Sequence, residues 1–480
     1  MNAIKKLFNK YQTMSIVTKA TLWFFICNNL LKCLSLLTTP IFTRILSTEQ
    51  FGIFNTYMSW VQIVTILSTL RLDYGIFNKG MTQFSDDKEN YTASMQSTTS
   101  ILTILLLILY LLFQSPINKI TGLTTTLSLG LFVEVFFTNA ISFWTIRQRY
   151  DFKYKCVILV SISMALCNTF FGIIAVLLTN HSGTGRIIST ILIQCCFGCI
   201  IYVRNYIHST QKFVLKYVKF AILFNLPLIP HYFASFILDQ FDRIMIMKLA
   251  NYSAVGIYSI AYSTGYAIKI ITSTLNNTLL PWQYRKLKEQ DYNTLSQCVH
   301  SITKFVLICF IIYMTFSPEV ISLIASSEYR HAMYILPPVT ASAFLIFLYE
   351  LYANVEFFYG ANKATMFIAI IGATINIILN YLFIPRLGYV AAAYTTLISY
   401  CFFTFVHYIC MNRVVQKNTN SKRIFAFSNL LINMFTIIGY AIIVNFIFEY
   451  HLIRYGLAIL LLIYVFLQKK EIFKFLTLLK

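Results

Sequence analysis

The sequence predicts an all-α membrane protein that crosses the bilayer about fourteen times. Hydrophobic residues make up 58% of the 480 residues, whereas charged residues make up only 11%. Soluble domains carry about 25% charged residues, so this composition excludes an ordinary soluble enzyme. The apolar residues fall in blocks of about twenty, the length that a helix needs to cross the hydrocarbon layer.

Fourteen apolar blocks follow one another along the chain, and each is a predicted membrane span. Each block is apolar around its whole circumference, which is typical of a helix that faces lipid or other helices. The predicted spans cover residues 17–39, 52–75, 98–114, 121–146, 156–179, 185–203, 220–245, 254–280, 299–317, 332–358, 364–384, 389–410, 426–447 and 452–468.

The basic residues predict the orientation of these spans. With a cytoplasmic N-terminus, 26 of the 38 Lys and Arg residues fall in inward loops, and seven, including Arg186 and Arg454, fall in outward loops. The positive-inside rule therefore predicts that both termini are cytoplasmic. Basic loops that face anionic lipid headgroups account for the net charge of +21, so nucleic-acid binding need not be invoked.

Several chemistries are not expected from the sequence. Cys195, Cys196 and Cys199 lie inside an apolar span, where thiols usually act as small hydrophobic groups, so we predict no metal site. No Walker A motif is present, and no loop is long enough for a soluble catalytic domain. We therefore predict no catalytic residues and no cofactor, with coupling to protons or sodium left open.

A weak internal repeat predicts two halves. Arg44 precedes Gly52 by eight residues, and Lys248 precedes Gly256 by the same spacing, at an offset of 204 residues. That offset covers six spans, so both halves enter the membrane in the same direction. We expect a cytoplasmic lead at 1–16, six-helix bundles at 17–210 and 211–415 that form a V-shaped central cavity, and two additional helices with a basic cytoplasmic tail at 416–480.

Four short motifs stand out along the chain. Their residues are Thr39, Pro40, Arg44, Phe51 and Gly52; Leu226, Pro227, Pro230 and His231; Asp239, Asp242 and Arg243; and Asn376, Leu379, Asn380, Pro385, Arg386 and Gly388. These motifs resemble those of the Wzx-type polysaccharide flippases, which belong to the multidrug/oligosaccharidyl-lipid/polysaccharide exporter superfamily. The resemblance spans residues 15–415. It implies export of undecaprenyl-diphosphate-linked oligosaccharide repeat units across a bacterial plasma membrane, for O-antigen or capsule assembly. A polysaccharide polymerase and other assembly proteins are the partners that it implies.

Insertion of a charged residue inside a span costs at least about 2.5–3.5 kcal/mol, so we expect each such residue to have a structural or functional role. The basic candidates for a diphosphate-binding cavity are Lys32, Arg71, Arg243 and Lys269. The acidic candidates for ion coupling or for a lock between the halves are Asp73, Glu134, Asp239, Asp242, Glu350 and Glu356. An alternative left open is that Arg71 pairs with Asp73, and Arg243 with Asp239, as neutral internal pairs.

Two prolines predict a hinge in the seventh span. Pro227 and Pro230 each remove an intrahelical hydrogen bond and kink the helix, which suits alternating access by rocking. Two functions compete with the flippase hypothesis: a cation-coupled multidrug exporter of the same superfamily and, less favoured, a membrane polysaccharide polymerase or glycosyltransferase. An exporter of cations would need an acidic pocket, and the four basic candidates argue against one.

Overall fold

A computed structural model describes residues 11, 13–419 and 423–479, and every regular element in these ranges is helical. Most of the predicted lead at 1–16 lies outside the described residues. So do five basic residues that the charge count places in inward-facing segments: Lys5, Lys6, Lys10, Lys422 and Lys480.

The helices fall into two compact units, residues 1–233 (unit 1) and 234–480 (unit 2). Unit 1 contains α1 (Ile16–Ile45), α2 (Thr48–Thr69), α3 (Gly75–Gln83), α4 (Lys88–Leu112), α5 (Gln114–Thr121), α6 (Thr125–Tyr150), α7 (Tyr154–Leu178), α8 (Ser182–Ile207) and α9 (Leu215–Asn225). The boundary between the units lies within α10 (Ile229–Phe236).

Unit 2 begins with the end of α10 and a π-turn at Ile237–Phe241. It continues with α11 (Asp242–Leu249), α12 (Tyr252–Ala267), α13 (Lys269–Lys288), α14 (Tyr292–Thr315), α15 (Ser317–Ile324), α16 (Ala332–Phe358), α17 (Asn362–Leu387), α18 (Ala391–Asn418), α19 (Phe427–Ile443), α20 (His451–Leu467), α21 (Lys469–Ile472) and α22 (Phe475–Leu478).

All fourteen predicted spans coincide with helices, but the count of fourteen membrane spans is not confirmed. Within the described residues, eleven helices are long and apolar enough to cross a membrane, or twelve if the bent pair formed by α20 and the following 469–478 counts as one span. The predicted spans at 52–75 and 254–280 are not among the helices that are long and apolar enough. The first, α2, is too polar, and the second is divided near Ile268 into the short α12 and the polar α13.

The repeated segments that precede Gly52 and Gly256 have the same local structure in both units. The Ser47 hydroxyl accepts a hydrogen bond from the Gln50 backbone N–H and caps α2, and the Asn251 side chain accepts one from the Ala254 N–H and caps α12. Ser47 and Asn251 are 204 residues apart, which is the predicted offset. Each helix begins four residues before the glycine of the repeat, Gly52 or Gly256, because the polar cap fixes its first turn.

The seventh span is interrupted by a 3-10 turn and, further along the chain, by the π-turn at Ile237–Phe241. A 3-10 turn at Leu226–Leu228 separates α9 from α10, and it contains Pro227, which has no N–H for an α-helical bond. The α9 helix packs on α3 and α4, and its Tyr217 hydroxyl donates to the Asp87 carboxylate. These contacts place α9 in unit 1, whereas the predicted domain boundary at 210/211 precedes it.

One helix organises the core of unit 2. The α16 helix is buried over most of its length and packs against α12, α13, α14, α18 and α19. The C-terminal helices are joined to this core by Arg454, whose side chain is 0% exposed. Arg454 donates to the Thr315 carbonyl at 3.2 Å and to Glu319 Oε2 at 2.7 Å. Arg454 is therefore an internal anchor and not the outward-loop residue that the charge count assumed.

Candidate functional site

Asp242 is the centre of a buried hydrogen-bond network in unit 2. Its carboxylate accepts from the Tyr258 hydroxyl at 2.5 Å, from Asn380 Nδ2 at 2.6 Å and from the Thr396 hydroxyl at 2.8 Å. These three donors come from α12, α17 and α18. Asp242 is 1% exposed, and such burial is tolerated only when hydrogen bonds satisfy the carboxylate. The network joins four helices at one acidic group.

A second layer of polar side chains surrounds that network. Asn380 Nδ2 also donates to Asn376 Oδ1 at 3.2 Å, and the Thr395 hydroxyl donates to Asn380 Oδ1. Asn376 in turn donates to the Thr396 hydroxyl at 3.0 Å. Each side-chain amide is thereby fixed by its neighbours, so the donors to Asp242 are preorganised.

Arg243 is buried beside Asp242 and forms no ion pair with any described carboxylate. Its guanidinium donates to Gln240 Oε1 at 2.7 Å, to Ser259 Oγ at 3.2 Å and to the Asp239 backbone carbonyl at 3.2 Å. The same guanidinium lies 4.7 Å from the centre of the Tyr262 ring. The alternative that Arg243 pairs with the Asp239 carboxylate is therefore wrong, because neutral oxygens and an aromatic face occupy its donors.

Asp239 belongs to an aromatic layer in unit 2. The Tyr400 hydroxyl donates to Asp239 Oδ1 at 3.4 Å, and the Tyr266 hydroxyl lies 3.5 Å from that of Tyr400. Lys269 Nζ lies 4.8 Å from the centre of the Tyr266 ring. Among the described side chains, no carboxylate is within 4 Å of Lys269. The structure thus brings three predicted residues, Asp239, Arg243 and Lys269, to one tyrosine-rich region.

The two remaining acidic candidates of unit 2 have separate partners. Glu350 Oε2 accepts from Asn276 Nδ2 at 3.2 Å. Glu356 is 0% exposed, and its Oε1 lies 3.0 Å from His407 Nδ1. Among the described side chains neither glutamate shares a hydrogen bond with Asp239 or Asp242, so the four acidic candidates of unit 2 hold four distinct positions and do not form one cluster.

In unit 1, Arg71 lies between two tyrosine rings. Its guanidinium carbon is 5.2 Å from the centre of Tyr74 and 5.6 Å from that of Tyr232. Leu70 and Arg71 both adopt left-handed backbone conformations, with φ of 47° and 53°, and this turn ends α2. Among the described residues Arg71 forms no ion pair with Asp73, whose Oδ2 accepts from Ser142 at 3.0 Å. The alternative that Arg71 pairs with Asp73 is therefore also wrong.

Glu134 and Lys32 lie in different environments within unit 1. Glu134 is 2% exposed, and its Oε2 accepts from the Tyr57 hydroxyl at 2.6 Å. The Lys32 side chain is exposed on α1, and no described group hydrogen-bonds to it. Pro227 lies in the 3-10 turn and Pro230 in the first turn of α10, where the seventh span is interrupted.

Sequence reasoning did not assign the donors that hold the acidic groups. Tyr57, Tyr258, Thr396 and His407 were not candidates, and Asn380 appeared only within a family motif. An uncharged tyrosine or threonine gives no signal in an apolar span, because its rotation about the helix axis is not readable from one sequence. The pair of asparagines at 376 and 380, one helical turn apart, was the only sequence sign of this network.

Comparison with known proteins relates the chain to polysaccharide biosynthesis. A family profile described as "Polysaccharide biosynthesis protein" matches residues 17–285. A Haemophilus influenzae protein, "Lsg locus putative protein 1", is 26% identical over 202 residues, which cover 40% of this chain and 46% of that protein. An uncharacterized membrane protein of Methanocaldococcus jannaschii is 22% identical over 333 residues, 65% of this chain and 63% of that one. The chain thus matches less than two thirds of the length of either relative.

Two solved structures share the fold. The lipid II flippase MurJ, in an inward closed conformation, has a TM-score of 0.65 and 15% identity, and the match covers 93% of this chain and 99% of that chain. An inward-facing transporter of the multidrug resistance MATE family has a TM-score of 0.59 and 12% identity, covering 81% and 96%. At these identities the likeness establishes the shared fold and nothing about the cargo.

Proposed function

Because the chain belongs to the polysaccharide biosynthesis protein family, we propose that it is a transporter of lipid-linked oligosaccharide. The proposed cargo is an undecaprenyl-diphosphate-linked repeat unit for O-antigen or capsular polysaccharide. Alternating access would carry it from the cytoplasmic to the outer leaflet of a bacterial plasma membrane. In this proposal the chain transports and does not catalyse, both termini are cytoplasmic, and a polymerase receives the product.

The observation that carries this proposal is that none of the four predicted cations has a carboxylate partner among the described residues. Arg71, Arg243 and Lys269 lie against aromatic rings, and Lys32 is exposed. A transporter of cationic drugs gains nothing from such positive charge, whereas a diphosphate does. Lys32, Arg71 and Lys269 are the accessible members of this set. Arg243 is 6% exposed and is the one most enclosed by its own unit.

The acidic positions support a role for an ion in the cycle. Asp242 is buried and joins four helices through hydrogen bonds, so binding a proton or a cation there would alter the packing of all four. Pro227 supplies a break in the helix that leads to this aspartate. The coupling ion stays open between proton and sodium.

Cation-coupled export of small molecules is the second candidate. The fold shared with a MATE-family transporter and the buried Asp242 both favour it. The two candidates differ in the sign of charge that the cargo needs. Loss of Lys269 would impair transport of a lipid diphosphate but would leave export of an organic cation unchanged or improved.

The test is reconstitution of the purified chain into liposomes. A fluorescent undecaprenyl-diphosphate oligosaccharide is added, and a membrane-impermeant quencher reports the fraction that reaches the outer leaflet. We expect Lys32→Ala and Lys269→Ala to slow this movement at least about tenfold, since each removes a charge that interacts with the diphosphate. Lys288→Ala is the matched control, because Lys288 is exposed at the end of α13.

Complementation gives an independent readout. Wild type should restore surface glycan in a strain of the source organism that lacks this gene, and the two alanine variants should not. Normal glycan on the deletion strain, together with absence of lipid movement in liposomes, would overturn the flippase proposal. Efflux of cationic dyes is then the next assay.

A further inference from the structure

Arg186 occupies a niche between helices of unit 1 that the proposed function does not use. It lies in the second turn of α8, and its guanidinium carbon is 3.2 Å from the centre of the Phe42 ring and 4.7 Å from that of Phe54. Phe42 belongs to α1 and Phe54 to α2. The guanidinium is therefore held by aromatic faces of two neighbouring helices.

A glycine provides the space for this guanidinium. Gly172 lies inside α7, and a Cβ atom at that position would be 2.6 Å from Arg186 Nη1 and 3.3 Å from the Phe42 ring. Real Cβ atoms essentially never lie 2.6 Å from another atom, so any larger residue at this position would require the Arg186 guanidinium to shift. Glycine inside a helix is otherwise unfavourable, and here it has a steric reason.

The start of α8 is fixed by further close contacts. The Gly183 backbone N–H donates to Gln50 Oε1 at 2.7 Å, which joins α8 to the first turn of α2. The Thr190 hydroxyl donates to Asn168 Oδ1 at 3.2 Å, which joins α8 to α7. Arg186 lies between these two contacts, so its position is set by helices on both sides.

The Arg186 guanidinium lacks an acceptor among the described residues. Nε and Nη1 are buried without a hydrogen-bond partner, and no described carboxylate forms an ion pair with this side chain. Nη2 has no hydrogen bond either, but it is not enclosed. A cation–π contact recovers only part of the cost of burying a charge, and no described carboxylate offsets the rest for Arg186.

The depth of the niche suits a lipid phosphate. Arg186 is four residues from the start of α8, about 6 Å along the axis, and Phe42 is three residues, about 5 Å, from the end of α1. Helix ends of α1, α2, α7 and α8 meet on this side of unit 1, the side predicted to face outward. The guanidinium therefore lies near the level at which phospholipid phosphates begin.

We infer that Arg186 binds the phosphate or diphosphate group of a membrane lipid through the open edge of its guanidinium. Nη2 is the guanidinium nitrogen that is not enclosed, so its N–H groups are the donors for phosphate oxygens, and the aromatic rings fix the plane of the guanidinium. Two sources have this chemistry: a resident anionic phospholipid and the polyprenyl diphosphate cargo. Assignment to the cargo rests on the proposed function, whereas phosphate binding itself does not.

The test is native mass spectrometry of the purified full chain in detergent. The probes are undecaprenyl diphosphate, phosphatidylglycerol and a diacylglycerol that lacks phosphate. For Arg186→Gln we expect one fewer tightly bound phosphate lipid, with affinity at that site lowered at least about tenfold. Gly172→Ala should show the same loss because it displaces the guanidinium, and Arg186→Lys should show a partial one. Diacylglycerol binding should not change.

The pattern across the probes identifies the source. Loss of undecaprenyl diphosphate alone assigns the site to the transported lipid, and equal loss of phosphatidylglycerol assigns it to a resident lipid. Unchanged number and affinity of both lipids in a folded Arg186→Gln variant would overturn the inference. If Arg186→Gln does not fold, the number and affinity of lipids bound to Gly172→Ala test the inference in its place. Since binding needs no transport, failure of the flippase proposal leaves this result readable.

Discussion

The Tyr57 hydroxyl lies 2.6 Å from Glu134 Oε2 and donates a hydrogen bond to it inside unit 1. Tyr57 is 0% exposed and Glu134 is 2% exposed, so neither group has water as an alternative partner. In unit 2 the Tyr258 hydroxyl donates to Asp242 in the same manner, at 2.5 Å. Each unit therefore holds a buried carboxylate that accepts from a phenol.

Removal of the phenol in unit 1 should be destabilising. Tyr57→Phe leaves Glu134 Oε2 without its donor, and an unsatisfied buried acceptor costs about 1–3 kcal/mol. We expect a lower midpoint of thermal unfolding in detergent. Tyr74→Phe is the matched control, because Tyr74 is 57% exposed and contacts Arg71 through its ring, which phenylalanine retains. Equal midpoints for the two variants would mean that the Glu134 hydrogen bond contributes nothing.

Loss of charge at Asp242 should have a larger effect. Asp242→Asn replaces one carboxylate oxygen by an amide N–H₂ group, so at least one of the Tyr258, Asn380 and Thr396 donors loses its acceptor. The expected cost is about 1–3 kcal/mol for each unmet group, together with loss of transport. Asp86→Asn, at an exposed position, should change neither the thermal midpoint nor transport. Wild-type transport by Asp242→Asn would exclude this carboxylate from coupling.

Glycine substitutions in the left-handed turn at the end of α2 distinguish the effect of backbone strain from the effect of the Arg71 charge. Leu70→Gly and Arg71→Gly both relieve a positive φ, which glycine adopts without steric cost. Both variants should therefore unfold within a few degrees of wild type. Only Arg71→Gly removes the cation, so it alone should weaken undecaprenyl diphosphate binding, by about tenfold. Similar binding losses in both variants would point to the shape of the turn and not to the charge.

A surface ion pair gives a pH-dependent prediction. Lys286 Nζ lies 2.9 Å from Asp291 Oδ2, and this hydrogen bond lowers the pKa of the Asp291 carboxyl below its ordinary value of 3.8. A carboxyl with a lower pKa in the folded state stabilises that state at pH above its unfolded pKa. The contribution is lost as the pH falls through the folded pKa. Asp291→Asn should therefore lower the thermal midpoint slightly at pH 7, and the difference from wild type should shrink below pH 3.8.

The same variant removes the ion pair with Lys286 and keeps the cap of α14. Asp291→Asn keeps a side-chain oxygen that can accept from the Thr294 N–H, the hydrogen bond that begins α14. Lys286→Gln is the partner variant and should show the same dependence on pH. A difference between wild type and Asp291→Asn that stays constant from pH 7 to pH 3 would assign the effect to the cap.

Helix positions were predictable, because twenty-residue apolar blocks leave few alternatives in lipid. The number of spans was not, since α2 is too polar to count as a span and the predicted span at 254–280 is divided into the short α12 and the polar α13. In a regular helix, Asp239, Asp242 and Arg243 would lie on one face, because they are spaced at i, i+3 and i+4. The π-turn at Ile237–Phe241 adds one residue to that turn and changes the directions of the side chains.

The partners of charged residues were the least predictable feature. Pairing of Arg71 with Asp73, two residues away, is plausible from the sequence, but the backbone reverses its direction between Thr69 and Leu72. The charge count assigns Arg454 to a loop because it lies at the edge of an apolar block, yet it is fully buried. Local sequence reports the presence of a charge but not the neighbour that long-range packing supplies.

The Arg454–Glu319 contact also has an evolutionary consequence. Among the contacts that join the last two spans to the rest of unit 2 is this charge pair, whose members are 135 residues apart. A lineage that lost these spans would leave Glu319 without its cation and the Thr315 carbonyl without its donor. Relatives that lack a counterpart of α20 should therefore carry a neutral residue at the position of Glu319, and the two positions should change together.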